Sequence, residues 1–196
     1  MSKRKDNGKY YRIIEAATRV FAKNGFYHSK ISEIAKEARV ADGTIYIYFE
    51  NKDDILICLF EEQMKAVLDN MTQQLKGIDD PSQKLKTFAF THLELIENNK
   101  DMAEIIQVEL RQSGKFMKEY KNEGFIHYLD IIGNIIMEGQ QQGIFKAQVI
   151  PGVAKRAFFG ALDEVSRFWV LSSRKEYDIR IVANQISDYF LAGIRN

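Results

Sequence analysis

An all-α fold is predicted by three features of the sequence. Apolar residues recur three and four apart almost throughout, with no convincing alternation of the strand kind. Proline is confined to Pro81 and Pro151. Gln, Glu, Lys, Leu, Ile and Ala are plentiful, which favours helices over their whole length. At 196 residues the chain is long enough for one or two small domains with a proper core.

The elements follow in order. Tyr10, Ile13, Ile14, Ala17 and Phe21 form one stripe, stopped by Asn24-Gly25. Ile31, Ile34, Ala35 and Ala38 form a short second stripe, with Ser29 placed to cap it. A third, very short segment is expected from about Gly43 to Phe49, with Ile45, Ile47 and Phe49 anchoring it on the second. From Lys52 the scale changes: Ile55, Leu56, Leu59, Phe60, Met64, Val67, Leu68, Met71 and Leu75 fill one face of a helix about 37 Å long. Asn51 is placed to cap it, and Asp53 and Asp54 suit its positive end. Gly77 to Ser82 break the chain. A helix carrying Leu85, Phe88, Ala89, His92 and Ile96 comes next, then one over about Lys100 to Arg111. Beyond Gly114 a long helix, interrupted or bent near Gly124, should reach Gln142-Gly143. Two more are expected at about 152–172 and 177–194. Three short helices and six longer ones make two parts: residues 1–51, and residues 52–196.

Composition narrows the function classes. A single cysteine, Cys58, excludes an intrachain disulfide and fits a reducing compartment. No run of 18 apolar residues and no signal-peptide core occurs, so a cytoplasmic protein is expected, with no membrane partner. His28, His92 and His127 are scattered, and no His, Cys, Asp or Glu group has metal-ligand spacing. No phosphate-cradling glycine loop is present. An enzyme is therefore not expected, nor a cofactor. Charge is uneven: residues 1–50 hold ten Lys/Arg against six acids, while the other 146 are mildly acidic. A basic head suits an anionic partner.

Residues Val40 to Leu56, "VADGTIYIYFENKDDIL", carry the most chemistry. Two short helices joined by a turn at Arg39 to Asp42 have helix-turn-helix proportions, which would set the second in the DNA major groove. Gly43 would let the backbone approach closely, and Thr44 offers a hydroxyl and a methyl. Tyr46 and Tyr48 have rigid bodies and polar tips suited to phosphates or base edges. Lys52 is placed to pair with a phosphate beside the helix it opens.

The stretch from about Tyr11 to Phe60, with its Phe-x-x-x-Gly, Ile-Ala, Gly-Thr-Ile-Tyr-x-Tyr-Phe and Lys-x-x-Leu spacing, resembles the TetR-type transcriptional repressors. That resemblance implies a homodimer on a palindromic double-stranded operator, nine helices per subunit and an effector cavity in the C-terminal part. It also implies DNA contacts from Lys30, Thr44, Tyr46, Tyr48 and Lys52. Two positions depart from the family pattern. Arg39 stands where glycine commonly ends the first motif helix, at a cost of about 1 kcal/mol. Ala41 stands where many members have a capping Ser, leaving Asp42 as the expected cap.

With "VELRQS" at Val108 to Ser113 and "FFGALDEV" at Phe158 to Val165, the chain is most similar to the acyl-CoA-responsive regulators of fatty acid degradation within that family. An acyl-CoA needs an apolar tunnel for its chain and cations at the mouth for its phosphates. Phe60, Met64, Phe88, Ile105, Ile106, Leu110, Tyr128, Phe158 and Phe159 supply apolar lining, though the same residues would equally make a filled core. Gln107 and Arg111 lie one turn apart, with Arg111 suited to fork onto a phosphate or to pair with Asp101, Glu104 or Glu109. His92 lies on an apolar stripe, either as a hydrogen-bonded core histidine or as an effector ligand. Ala157, Gly160 and Ala161, followed by Val165, Phe168 and Trp169, with Val182, Ile186 and Tyr189, suit a four-helix interface between two copies.

The leading expectation is thus a repressor released from DNA by long-chain acyl-CoA. A second keeps the DNA binding but replaces the effector with a drug-like or other hydrophobic small molecule, for example in control of an efflux pump; for a drug-like or aromatic cation, Glu94, Glu97 or Glu104 could face the aromatics. A third is a helical lipid carrier, which would not shift DNA.

Overall fold

The computed structural model describes residues 7–105, 123–172 and 177–196. Among them are nine helices: α1 (Asn7–Asn24), α2 (Ile31–Glu37), α3 (Asp42–Tyr48), α4 (Lys52–Leu75), α5 (Pro81–Asn98), α6 (Lys100–Glu104), α7 (Glu123–Gln141), α8 (Pro151–Leu171) and α9 (Ile179–Ile194). The same residues form no β-strand, only an isolated bridge between Phe145 and Arg195. The chain divides into two compact units, Met1–Gln63 with Lys100–Lys121, and Met64–Asn99 with Asn122–Asn196. α4 contributes to both.

The helix boundaries have local causes. Gly25, Gly77 and Gly143 all take positive φ, at 75°, 79° and 70°, where a side chain would be strained. Asn51 caps α4 by accepting from the Asp54 N–H at 2.9 Å. Pro81 and Pro151 open α5 and α8 at the position where a missing N–H costs nothing, and Asp80 and Asp178 cap α5 and α9.

Two expected caps are corrected. Ser29 does not cap α2: its hydroxyl is buried and donates to the Gly25 carbonyl at 2.6 Å, stitching the preceding loop. Lys30 is the residue at the cap position, and its N–H donates to the Glu33 carboxylate at 2.8 Å. Asp42 does not cap α3 either; it is the first helical residue and Ala41 holds the cap position with no side-chain hydrogen bond. The helix expected to run to Arg111, and the one expected beyond Gly114, lie outside the described residues except for α6 and α7.

In the first unit, Ile13, Ala17 and Phe21 of α1 are buried with Ile34 and Ala35 of α2, Ile45 of α3, and Ile55, Leu56 and Leu59 of α4. Tyr10 stacks on Phe49 with ring centroids 5.3 Å apart, which pins the end of α3 to the start of α1. α6 packs against α1. In the second unit α5 packs on α7, α8 and α9, and α7 packs on α8. Two cross-helix ion pairs, Lys84–Glu138 and Lys155–Asp130, tie α7 to its neighbours. The ring of Phe145 packs so close to Gly139 that a Cβ there would collide with it.

Candidate functional site

The turn between α2 and α3 is closed by a pair of backbone bonds. The Val40 N–H reaches back to the Ala35 carbonyl at 2.9 Å, and the Arg39 N–H to the Lys36 carbonyl at 3.2 Å. This is the Schellman arrangement, whose central residue is left-handed. That residue is Arg39, the sole non-glycine at positive φ (55°) among the described residues. α3 then turns its sides apart cleanly. Ile45 and the following Phe49 are buried, whereas Asp42, Gly43, Tyr46 and Ile47 are exposed and Thr44 and Tyr48 half-buried. Ile47 was expected to anchor the helix; at 70% exposure it does not. A helix of about two turns presents one inward position per turn, and Ile45 and the C-cap Phe49 take them.

Lys30 is exposed beside this helix pair, as a DNA contact requires. Lys52 is placed differently from expectation. Its ammonium donates to the carbonyls of Phe26, Tyr27 and Ser29 at 2.6, 3.0 and 3.1 Å. It also lies 4.6 Å from the centre of the Phe26 ring. All three of its hydrogens are committed within the chain. Lys52 clamps the loop leading into α2, and direct pairing with a phosphate requires one of these bonds to be given up.

In the second unit four of the residues expected to meet an effector come together. Phe88 and His92 stand one turn apart on α5, facing Tyr128 of α7 and Phe159 of α8. Ring centroids are 5.0 Å apart for Phe88–Tyr128, 5.6 Å for His92–Phe159 and 6.2 Å for Tyr128–Phe159. Met64 is buried on α4, its Cβ 3.2 Å from where a Cβ on Gly124 of α7 would lie. Phe60 is also buried, on the stretch of α4 that belongs to the first unit. Ile106, Gln107, Leu110 and Arg111 lie outside the described residues.

Polar groups inside this ring cluster satisfy one another. His92 Nδ1 is 2.9 Å from the Tyr128 hydroxyl, and Nε2 is 3.3 Å from Ser166 Oγ. Ser166 has one hydrogen, and the Leu162 carbonyl at 2.8 Å takes it. Ser166 therefore accepts from Nε2–H, which leaves Nδ1 to accept the Tyr128 hydroxyl. Burial holds the imidazole neutral, pushing its pKa down from 6.5 to about 4, while Asp163 opposes weakly. Burial likewise pushes the Tyr128 hydroxyl well above its ordinary range. The result is a neutral, internally bonded triad walled by aromatics. Sequence reasoning missed Ser166; the signal was a small polar residue on the buried face of α8, one turn after Leu162.

On α8 and α9, Ala157, Gly160, Ala161, Phe168 and Tyr189 are exposed, and Val165, Val182 and Ile186 half-buried. A Cβ on Gly160 would meet nothing within 4 Å, so nothing in its own chain requires a glycine there. Trp169 is a correction: at 9% exposure it packs inside its own subunit, and Phe168, at 49%, takes the outward position. The two are adjacent on the helix and so point about 100° apart, and here only Phe168 points outward.

Residues 13–58 match the pattern of bacterial regulatory proteins of the tetR family, and residues 60–193 match the C-terminal region of YsiA-like proteins. The chain belongs to the TetR family. Within it, the chain is 39% identical over 188 residues to the fatty acid metabolism regulator protein of Bacillus subtilis (strain 168), covering 96% of each. Its fold is similar to that of the transcriptional regulator FadR from Bacillus subtilis in complex with stearoyl-CoA, with a TM-score of 0.87 and 38% identity over 95% of this chain and all of that one. The fatty acid degradation regulator FadR from Bacillus halodurans is similar at a TM-score of 0.88 and 36% identity, covering 97% and 98%. As in other TetR-family chains, DNA binding is the business of the matched N-terminal segment.

Among the described residues no group of three or more His, Cys, Asp or Glu could hold a metal ion, and no helix is long and apolar enough to cross a membrane.

Proposed function

We propose that this chain represses fatty acid degradation genes and leaves its operator on binding long-chain fatty acyl-CoA. The observation that carries the reading is its similarity, over nearly its whole length, to a fatty acid metabolism regulator and to a regulator solved with stearoyl-CoA. In this reading residues 1–51 read DNA, and residues 52–196 bind effector and dimerise. Lys30, Gly43, Thr44, Tyr46 and Tyr48 face the duplex, while Lys52 holds the loop behind them. The acyl chain lies against Met64, Phe88, Tyr128 and Phe159, and Arg111 and Gln107 are the candidates for its polar head. Two copies join through the small-residue face of α8 and the outer face of α9, on a palindromic operator in the cytoplasm. No catalysis is involved.

The neutral character of the ring cluster supports an uncharged chain over a cationic drug. Among the described residues the buried polar side chains are serines, a threonine and His92, with no carboxylate. Glu94 and Glu97 are half-buried and Glu104 is exposed. A buried organic cation would need such a carboxylate beside it.

The test is a mobility-shift titration on DNA from upstream of its own gene, with acyl-CoAs from butyryl to stearoyl. Long chains are expected to dissociate the complex while free CoA and butyryl-CoA do so poorly. Each buried methylene should add up to about 0.8 kcal/mol until the site is full. Equal potency across the series, or none at any length, would overturn the acyl-CoA reading.

A further inference from the structure

The side of α3 that faces away from the core has an unusual inventory for a helix that reads DNA. Base pairs in the major groove are most often distinguished by Arg or Lys on guanine and by Asn or Gln on adenine, each offering paired hydrogen bonds. From Ala41 to Phe49 the chain has none of these four residue types. Its polar side chains there are Asp42, Thr44, Tyr46 and Tyr48. Among its large hydrophobic side chains the most exposed is Ile47, at 70%, more open than the neighbouring Tyr46 at 59%.

Ile47 is not exposed for want of alternatives. Ile45 and Phe49 already fill the inward positions at 0% and 2% exposure, so Ile47 adds nothing to the core of this unit. Gly43 lies one turn before it on the same side, and a Cβ built there would meet nothing within 4 Å. Gly43 and Ile47 thus form a small step, a bare backbone surface beside a projecting branched side chain. A single exposed isoleucine is ordinary on a protein surface, but one on the outer side of a helix that reads DNA has an apolar counterpart in the major groove. That counterpart is the C5-methyl of thymine, the group that marks T against A, G and C in that groove.

We infer that Ile47 is a specificity-determining residue that reads a thymine C5-methyl in each operator half-site. Base recognition from α3 then runs on an apolar contact and on hydroxyls rather than on bidentate amide or guanidinium pairs. The inference rests on the DNA-binding reading above, and its test separates the two.

Operator duplexes selected from a random pool by the full-length chain supply the DNA. Each thymine of a half-site is then replaced singly by deoxyuridine, which removes the methyl and nothing else. One replacement is expected to weaken binding about fourfold, the equivalent of one buried methyl group. The Ile47→Ala variant, which loses no core contact, should bind the parent duplex more weakly by a similar factor and be indifferent to that replacement. At the same step, a C·G pair should bind poorly and 5-methylcytosine·G should recover part of the loss. No methyl dependence at any thymine would overturn the inference while leaving the regulator intact. The same deoxyuridine penalty in wild type and Ile47→Ala would also overturn it, because another group would be reading the methyl. Failure to select any duplex would overturn the regulator reading and this inference with it.

Discussion

Single side chains decide more here than their types announce. A lysine beside a recognition helix ordinarily reads as a phosphate ligand, yet Lys52 spends its three hydrogens on the carbonyls of Phe26, Tyr27 and Ser29. Lys52→Met, which keeps the stem and removes the donors, is expected to lower the unfolding free energy by about 1–3 kcal/mol in a denaturant titration. It should change the salt slope of DNA binding by well under one phosphate equivalent, about 0.9 in log–log terms. His92 carries a different signature. Its folded pKa, about 4, lies below its ordinary 6.5, so the unfolded chain binds more protons between those values. The stabilisation is complete above pH 6.5, declines as pH falls through that window, and is gone below about 4. Thermal melts from pH 7.5 down to 4.5 should show this loss, on the order of 3 kcal/mol, in wild type and a flatter dependence in His92→Gln. Neither fact was legible in the sequence. A sequence shows that Lys52 follows a turn and that His92 shares a stripe with Phe88, but which atoms face them depends on residues 26 and 36 positions away.

Helices and their ends were far more legible, because their causes are local. Asn24-Gly25, Gly77, Gln142-Gly143, Pro81 and Pro151 all act within one turn of where they stand, and each marks an observed boundary. Ser29 misled because its hydroxyl had a choice between a cap and a loop carbonyl, and tertiary context made it. Arg39 was legible for the same reason as the glycines: its place in the motif required a left-handed residue, and its φ is 55°. Arg39→Gly is therefore expected to raise stability by roughly 0.5–1 kcal/mol, measured as a higher melting temperature. A clear loss instead would mean that the exposed guanidinium contributes a contact that outweighs the strain. On α8 the periodicity gave the right helix but one wrong face, since Phe168 and Trp169 are consecutive and the sequence alone offers both as anchors.

At the scale of the whole molecule, the proposed function depends on pairs of chains and on two competing conformations. A two-fold dimer can place its recognition helices in successive major grooves only when their centres lie about 34–36 Å apart. An effector releases such a dimer only by binding the mismatched form more tightly than the matched one; affinity alone shifts nothing. Gly160, open in its own chain, is where the proposed pairing is most exposed to challenge. Gly160→Leu should leave the monomer fold intact by circular dichroism, halve the mass seen by light scattering, and weaken operator binding with it. Arg111→Ala is expected to blunt the acyl-CoA response while leaving operator affinity unchanged. Family membership was legible because the motif packs its signature into fewer than fifty residues; that Phe88, His92, Tyr128 and Phe159 meet was legible only as a list, because they are drawn from helices far apart in sequence, α5, α7 and α8.

The clamp made by Lys52 also has a consequence for reactivity. Acylation of a lysine needs a free amine lone pair, and an ammonium held by three carbonyls over an aromatic ring must first break out of that cage. Lys30 and Lys36 on the same unit are exposed instead. In a cell rich in reactive acyl donors the outer lysines would accumulate adducts first, neutralising the basic head while the scaffold under it stayed intact. Brief treatment with an acetylating reagent, followed by peptide mass spectrometry, should find Lys52 among the last lysines labelled. Early labelling of Lys52 would show that the loop before α2 opens often enough to set it free.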